Sequence, residues 1–187
     1  MTAIFSAFWQ ICTFRTGPEI IPASQLLLGL LLIISALVSW AGAMVLQAWL
    51  PVSPEVSNQL TEAEIERLSS GLLVFTRVVV GLACTAALIA GLLAVWGHSA
   101  RITKTLTAVY GTDIIITTLT VLGMGIGQLF HPMAGQLAIT SMFFWNVSVL
   151  GFILHKALEI SWGFGIVAAI FLMVLTFAVT QVALAPG

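Results

Sequence analysis

Asp113 is the one acid that falls inside a long apolar run, and Tyr110, Thr117, Thr120 and Met124 join it at the i, i+3, i+4 spacing of one helical face. In the run from Thr103 to Phe130 it sits roughly 10 Å below the membrane surface at about 1.5 Å per residue, where a carboxylate is costly and faces protein rather than lipid. An acid so placed either relays a proton or cation, or ties helices together through Tyr110, a threonine or a lysine at the helix end. The tether is the favoured reading, because a transporter ordinarily shows broken helices or paired sites and this chain shows neither clearly.

The other polar groups at membrane depth are few. Arg77 lies roughly 9 Å from the outer end of its run, shallow enough for its long side chain to reach the surface. At that height it is about 11 Å from the depth of Asp113, so no ion pair is expected between them. Asn146 falls near the middle of a later run, level with Thr117, and is expected to hydrogen-bond to Thr117, Thr118 or a nearby carbonyl. Its Asn-Val-Ser sequon is inert within the hydrocarbon. Ser35 and Ser39 share one face of the first run, where serines ordinarily serve close helix contact. His155 and Glu159 are one helical turn apart and can pair.

Reaction chemistry finds little else to use. The three histidines are scattered, so no metal site is indicated. The runs GMGIG and WGFG lack the Lys of a phosphate loop and the partners of a nucleophile elbow, and read as packing or kink sites. Glu62, Glu64 and Glu66 crowd one short stretch without a loop glycine among them, which suits a solvated helix face better than calcium. Cys12 and Cys84 fall at different depths and are expected to be free thiols. No catalytic residue and no cofactor is indicated, and the chain is read as a non-enzyme.

The elements that carry these residues follow from composition. Of 187 residues, 60% are apolar and 7% charged, against about a quarter charged in soluble domains, which makes this an integral membrane protein. The net charge of -1 excludes the basic surface that nucleic acid requires. Five apolar runs are long enough to span a core about 30 Å thick, at 26–49, 71–96, 106–129, 137–154 and 160–182. The first could imitate a signal peptide at Ala41-Gly42-Ala43, but the aromatic-rich stretch before it is far too long for an n-region. Before these runs, residues 3–14 place Ile4, Phe8 and Ile11, flanked by Phe5, Trp9 and Cys12, opposite Thr2, Ser6, Gln10 and Thr13. That pattern predicts an amphipathic helix lying in the interface or packed on the bundle, stopped by Gly17 and Pro18. Residues 51–70 form an extramembrane loop in which Thr61 to Glu64 reads as a capping box opening a short acidic helix. Gly123 and Gly127 stand in GxxxG register, and the short turn at His131-Pro132 makes the third and fourth spans neighbours. The fold class is thus all-α: one polytopic helix bundle with five spans and an N-terminal interfacial helix.

Arg15, Arg101, Lys104 and Lys156 fall on the side of the N-terminus, against Arg67 and Arg77 on the other. The side richer in Lys and Arg is cytoplasmic, which puts the N-terminus inside and the C-terminus outside. The runs WQICTFRTGPEIIPAS, RITKTLTAVYGTDIII and WNVSVLGFILHKALEIS resemble small bacterial inner-membrane proteins related to the Yip1 family. The resemblance implies a five-helix membrane domain with a cytoplasmic N-terminus, located in the inner membrane. It carries no activity over, and no residue here matches a GTPase contact. The leading functional expectation is a scaffold or accessory subunit whose partners are the bilayer and other membrane proteins or a second copy of the chain. The alternative is a small transporter or permeability protein using Asp113 as its proton or cation site; a sealed, fully hydrogen-bonded Asp113 would favour the scaffold, and an aqueous cavity reaching it would favour transport.

Overall fold

The computed structural model describes residues 2–49 and 70–183. Among these residues every long element is a helix: α1 Thr2–Cys12, α2 Gln25–Trp49, α3 Gly71–Val95, α4 Ile102–Phe130, α5 Pro132–Leu158 and α6 Trp162–Ala183. A single 3-10 turn at Pro18–Ile20 precedes α2, and another at Ser99–Arg101 leads directly into α4. The five helices from α2 to α6 are long and apolar enough to cross a membrane, and each leaves large apolar side chains exposed on its outer face. The capping box and acidic helix expected within 51–70 lie outside the described residues.

Boundaries differ most where a cap overrides hydropathy. Hydropathy predicts the fourth span over 137–154, but α5 runs from Pro132 to Leu158, because Pro suits a first helical position and the His131 ring accepts a hydrogen bond from the Met133 N–H. It stops at Glu159, whose φ of 57° is left-handed. α4 starts at Ile102 rather than 106, so Thr103 and Lys104 are its first turn and not a loop. α3 ends one residue early, and Gly97 at φ 76° turns the chain toward α4.

The helices pack where they are small. Gly127 lies against the backbone of Ala134 and Gly135, and Gly123 faces Ala138, so the GxxxG face forms the antiparallel α4/α5 contact. Gly165 meets the Gly151 carbonyl, bringing α5 and α6 equally close, and Gly125 of the GMGIG run receives the Trp49 ring. The recurring glycines of α3 do less: Gly71 and Gly81 touch neighbours, whereas Gly91 faces open space.

α1 resolves both readings of its amphipathic pattern. Phe8, Ile11 and Cys12 are buried in the protein, Phe8 against Gly111 of α4, while Ile4, Phe5 and Trp9 of the same apolar stripe remain exposed. The Trp145 indole of α5 donates to the Cys12 carbonyl at 2.9 Å and so satisfies one orphan group at the end of α1. That contact is also why a Trp is found so far from either end of α5. At 11 residues α1 is about 16 Å long, too short to cross a bilayer.

Candidate functional site

α2 and α4 run parallel, so their residue counts can be compared directly. Ser35 stands ten residues after Gln25 and Asp113 eleven after Ile102, which brings them level. The Ser35 hydroxyl donates to Asp113 Oδ2 at 2.6 Å and the Ser39 hydroxyl to the same oxygen at 3.2 Å. Thr117, one turn along α4, adds a third hydroxyl beside the carboxylate. Charge-assisted bonds of this kind are the strong ones, and they offset part of what a carboxylate at this depth costs.

The partners differ from those expected. Tyr110 does not hold Asp113; its hydroxyl crosses to α3 and donates to the Leu82 carbonyl at 2.9 Å. Thr120 donates to its own helix at Ile116, and no lysine approaches. The reason is rotational: within the broad face they share on α4, Asp113 is turned to the hydroxyls of α2 and Tyr110 to the backbone of α3. Ser35 and Ser39, expected to serve helix packing, are the partners instead. The signal that could have found them is that they are the only hydroxyls in α2, one turn apart and at the depth of Asp113.

A cavity of about 620 Å³ opens between α3, α4, α5 and α6, and Asp113 is one of its walls. Its other polar lining comes from Arg77, Tyr110, Asn146, Thr85, Thr112, Thr176 and Thr180, and the remainder is mostly apolar, including Leu82, Val149 and Leu172. Tyr110 and Leu82 fix one level of the α3 wall. The Trp40 indole, which donates to the Gly71 carbonyl at 3.0 Å, fixes another. Arg77 lies between those anchors, about 9 Å along α3 from Gly71, at nearly the height of Asp113. The expected depth difference of about 11 Å is therefore corrected, because Gly71 sits beside Trp40 rather than at the outer end of α2. No ion pair joins Arg77 to Asp113; among the described residues the one ion pair is Arg101 with Glu159.

Asn146 also departs from expectation. It makes no hydrogen bond to Thr117 or Thr118 and instead faces the cavity, half-buried. Thr117 points toward α2, its methyl close to Gly42, and Thr118 donates to the Ile114 carbonyl at 2.7 Å. Depth arithmetic places the two residues level but carries no information on how each helix is rotated. His155 and Glu159 do not pair. The left-handed Glu159 leaves the helical register and meets Arg101 at 2.5 Å, while the His155 ring contacts the Ile160 carbonyl. The Arg101 guanidinium, by hydrogen bond first and by charge second, holds the Glu159 carboxyl below its ordinary range. That contact is present above the usual carboxylate pKa and is lost as pH falls through the lowered value.

Cys12 and Cys84 are free thiols. No group of three or more His, Cys, Asp or Glu side chains among the described residues could hold a metal ion. The site is thus an acid clasped by hydroxyls on one side and bordering a cavity, with a guanidinium and an amide on the other walls. No family model, no curated protein and no solved structure matches the chain.

Proposed function

We propose that the chain is a small membrane transport or permeability protein in which Asp113 takes up and releases a proton. The observation that carries this reading is the cavity of about 620 Å³ that borders Asp113 between four spans. A carboxylate that served only to tie α2 to α4 would need its serine partners and nothing beyond them. Here a large space with Arg77, Asn146 and threonine hydroxyls on its walls adjoins the same side chain. Among the described residues no second carboxylate lines this cavity and no group of acidic, His or Cys side chains could ligate a metal, which favours a proton over a metal cation at Asp113. A proton arrives and leaves by neutralising the carboxylate, and Ser35 and Ser39 can hydrogen-bond to either form.

The scaffold or accessory-subunit reading uses the packed small-residue faces and has no use for the cavity, so it stands second. A cytoplasmic N-terminus belongs to this proposal and is supported by the Lys and Arg distribution, while placement in a bacterial inner membrane rests on the resemblance of the three sequence runs alone.

The test is proton flux into liposomes containing the purified chain and a trapped pH dye, with the membrane potential clamped by potassium and valinomycin. The expected result is dissipation of an imposed pH gradient faster than in protein-free liposomes, reduced to the protein-free rate by Asp113→Asn. Equal rates for wild type and Asp113→Asn, or for wild type and empty liposomes, would overturn the proposal.

A further inference from the structure

The end of the bundle where α1 packs holds a second cavity, of about 320 Å³, whose charged lining is Glu19, Arg101, Lys104, Lys156 and Glu159. These residues come from the 3-10 turn after α1, the start of α4 and the end of α5, so the pocket exists only once the three are packed together. Arg101 is committed to the frame: it pairs with Glu159 at 2.5 Å and donates to the Ala157 carbonyl at 3.3 Å. Glu159 is neutralised by that pair. The Glu19 carboxylate folds back over Gly17, where a Cβ would collide with it. Lys104 and Lys156 make no ion pair with any described residue and leave the pocket with a net positive charge.

The neighbourhood of the pocket also favours an anionic lipid. The 3-10 turn at Ser99–Arg101 runs straight into α4 and its Ser99 carbonyl takes the Ile102 N–H, so the lysine side chains rather than free helix N–H groups supply the attraction. Thr105, also in the lining, is buried and donates to the Arg101 carbonyl, which keeps the first turn of α4 fixed. Beside the pocket, Lys156 stands 6.0 Å from the centre of the Phe152 ring, which packs edge-on against Phe14 at 5.5 Å. Phe14 in turn meets Trp162 at 6.2 Å, and both are exposed. Aromatic residues of this kind sit at headgroup level, where acyl chains begin.

We infer that the pocket framed by Arg101 and Glu159 binds the phosphate of an anionic phospholipid headgroup, with Lys104 and Lys156 as the contacting cations. The aromatic cluster points to a lipid rather than free phosphate, because it gives the glycerol and upper acyl chains an apolar shelf next to the charged site. At about 1 kcal/mol for each lysine near an anionic surface, losing both weakens binding by about 30-fold. This site is independent of Asp113 and of the large cavity.

The experiment is lipid titration of the full chain in detergent, reading thermal unfolding and bound lipid by native mass spectrometry, with phosphatidylglycerol, phosphatidylcholine and inorganic phosphate as probes. Phosphatidylglycerol is expected to raise the unfolding temperature and remain bound, and the other two to do neither. Lys104→Gln with Lys156→Gln should weaken phosphatidylglycerol binding by about 30-fold while leaving the lipid-free unfolding temperature unchanged. Arg15→Gln, a nearby exposed charge outside the pocket, should retain binding. The proposal is overturned if phosphatidylcholine binds as well, if inorganic phosphate alone reproduces the shift, if the double variant binds normally, or if Arg15→Gln loses as much.

Discussion

Replacing Asn146 by leucine is expected to leave the unfolding temperature within the scatter of surface substitutions, because its amide makes no hydrogen bond to α4 and faces the cavity. A loss of more than about 1 kcal/mol would mean that Asn146 holds α5 to a neighbour after all. The same position can report on the cavity. In a Cys84→Ala background, Asn146→Cys should react with a small water-soluble maleimide at pH 8 in intact proteoliposomes. Cys12 should not compete, since burial pushes its thiol up to about 12 and leaves it protonated at that pH. Absence of labelling at position 146 would mean that water does not reach the cavity, and the scaffold reading would then regain first place. Ser35 and Ser39 show how a residue type misleads at this scale: serine in a span is ordinarily a packing residue, and here both hydroxyls are spent on one carboxylate.

At the scale of elements, the seating of α1 on α4 depends on Gly111. Any side chain at that position meets the Phe8 ring, so Gly111→Leu should displace α1 from its groove. Phe8→Ala removes a ring that is 4% exposed and should cost about 3 kcal/mol, seen in thermal unfolding in mild detergent. Combining Phe8→Ala with Gly111→Leu should recover part of that loss, because the new side chain fills the space the ring vacated. Strictly additive effects would show that the two positions do not touch. The α1 pattern was legible as amphipathic, but how its apolar stripe divides between protein and the outside was not. Phe8, Ile11 and Cys12 are buried, whereas Ile4, Phe5 and Trp9 of the same stripe stay exposed, a division set by how α1 is rotated on α4 and α5.

For the whole molecule, five alternating helices place the two ends of the described chain at opposite ends of the bundle, and the proposed cytoplasmic N-terminus rests on the Lys and Arg distribution. A reporter fused at Gly187 is expected to be active outside the cytoplasm and silent within it; cytoplasmic activity would reverse the orientation and weaken the phosphatidylglycerol site, which needs an anionic leaflet at the α1 end. The sequence by itself determined the all-α class, the five apolar helices, the α4/α5 hairpin and the solitary acid in α4. Each of these follows from transfer energetics and helical rise, which depend on residue type and position along one chain. Only the tertiary structure decided which hydroxyls meet Asp113, that Arg77 stands at its height, that Asn146 turns to a cavity, and that Glu159 pairs with Arg101 instead of His155. Those outcomes depend on the rotation of each helix about its own axis and on offsets such as that of Gly71 beside Trp40. Both are fixed by side-chain packing among helices far apart in the chain, and a periodicity read along one helix does not contain them.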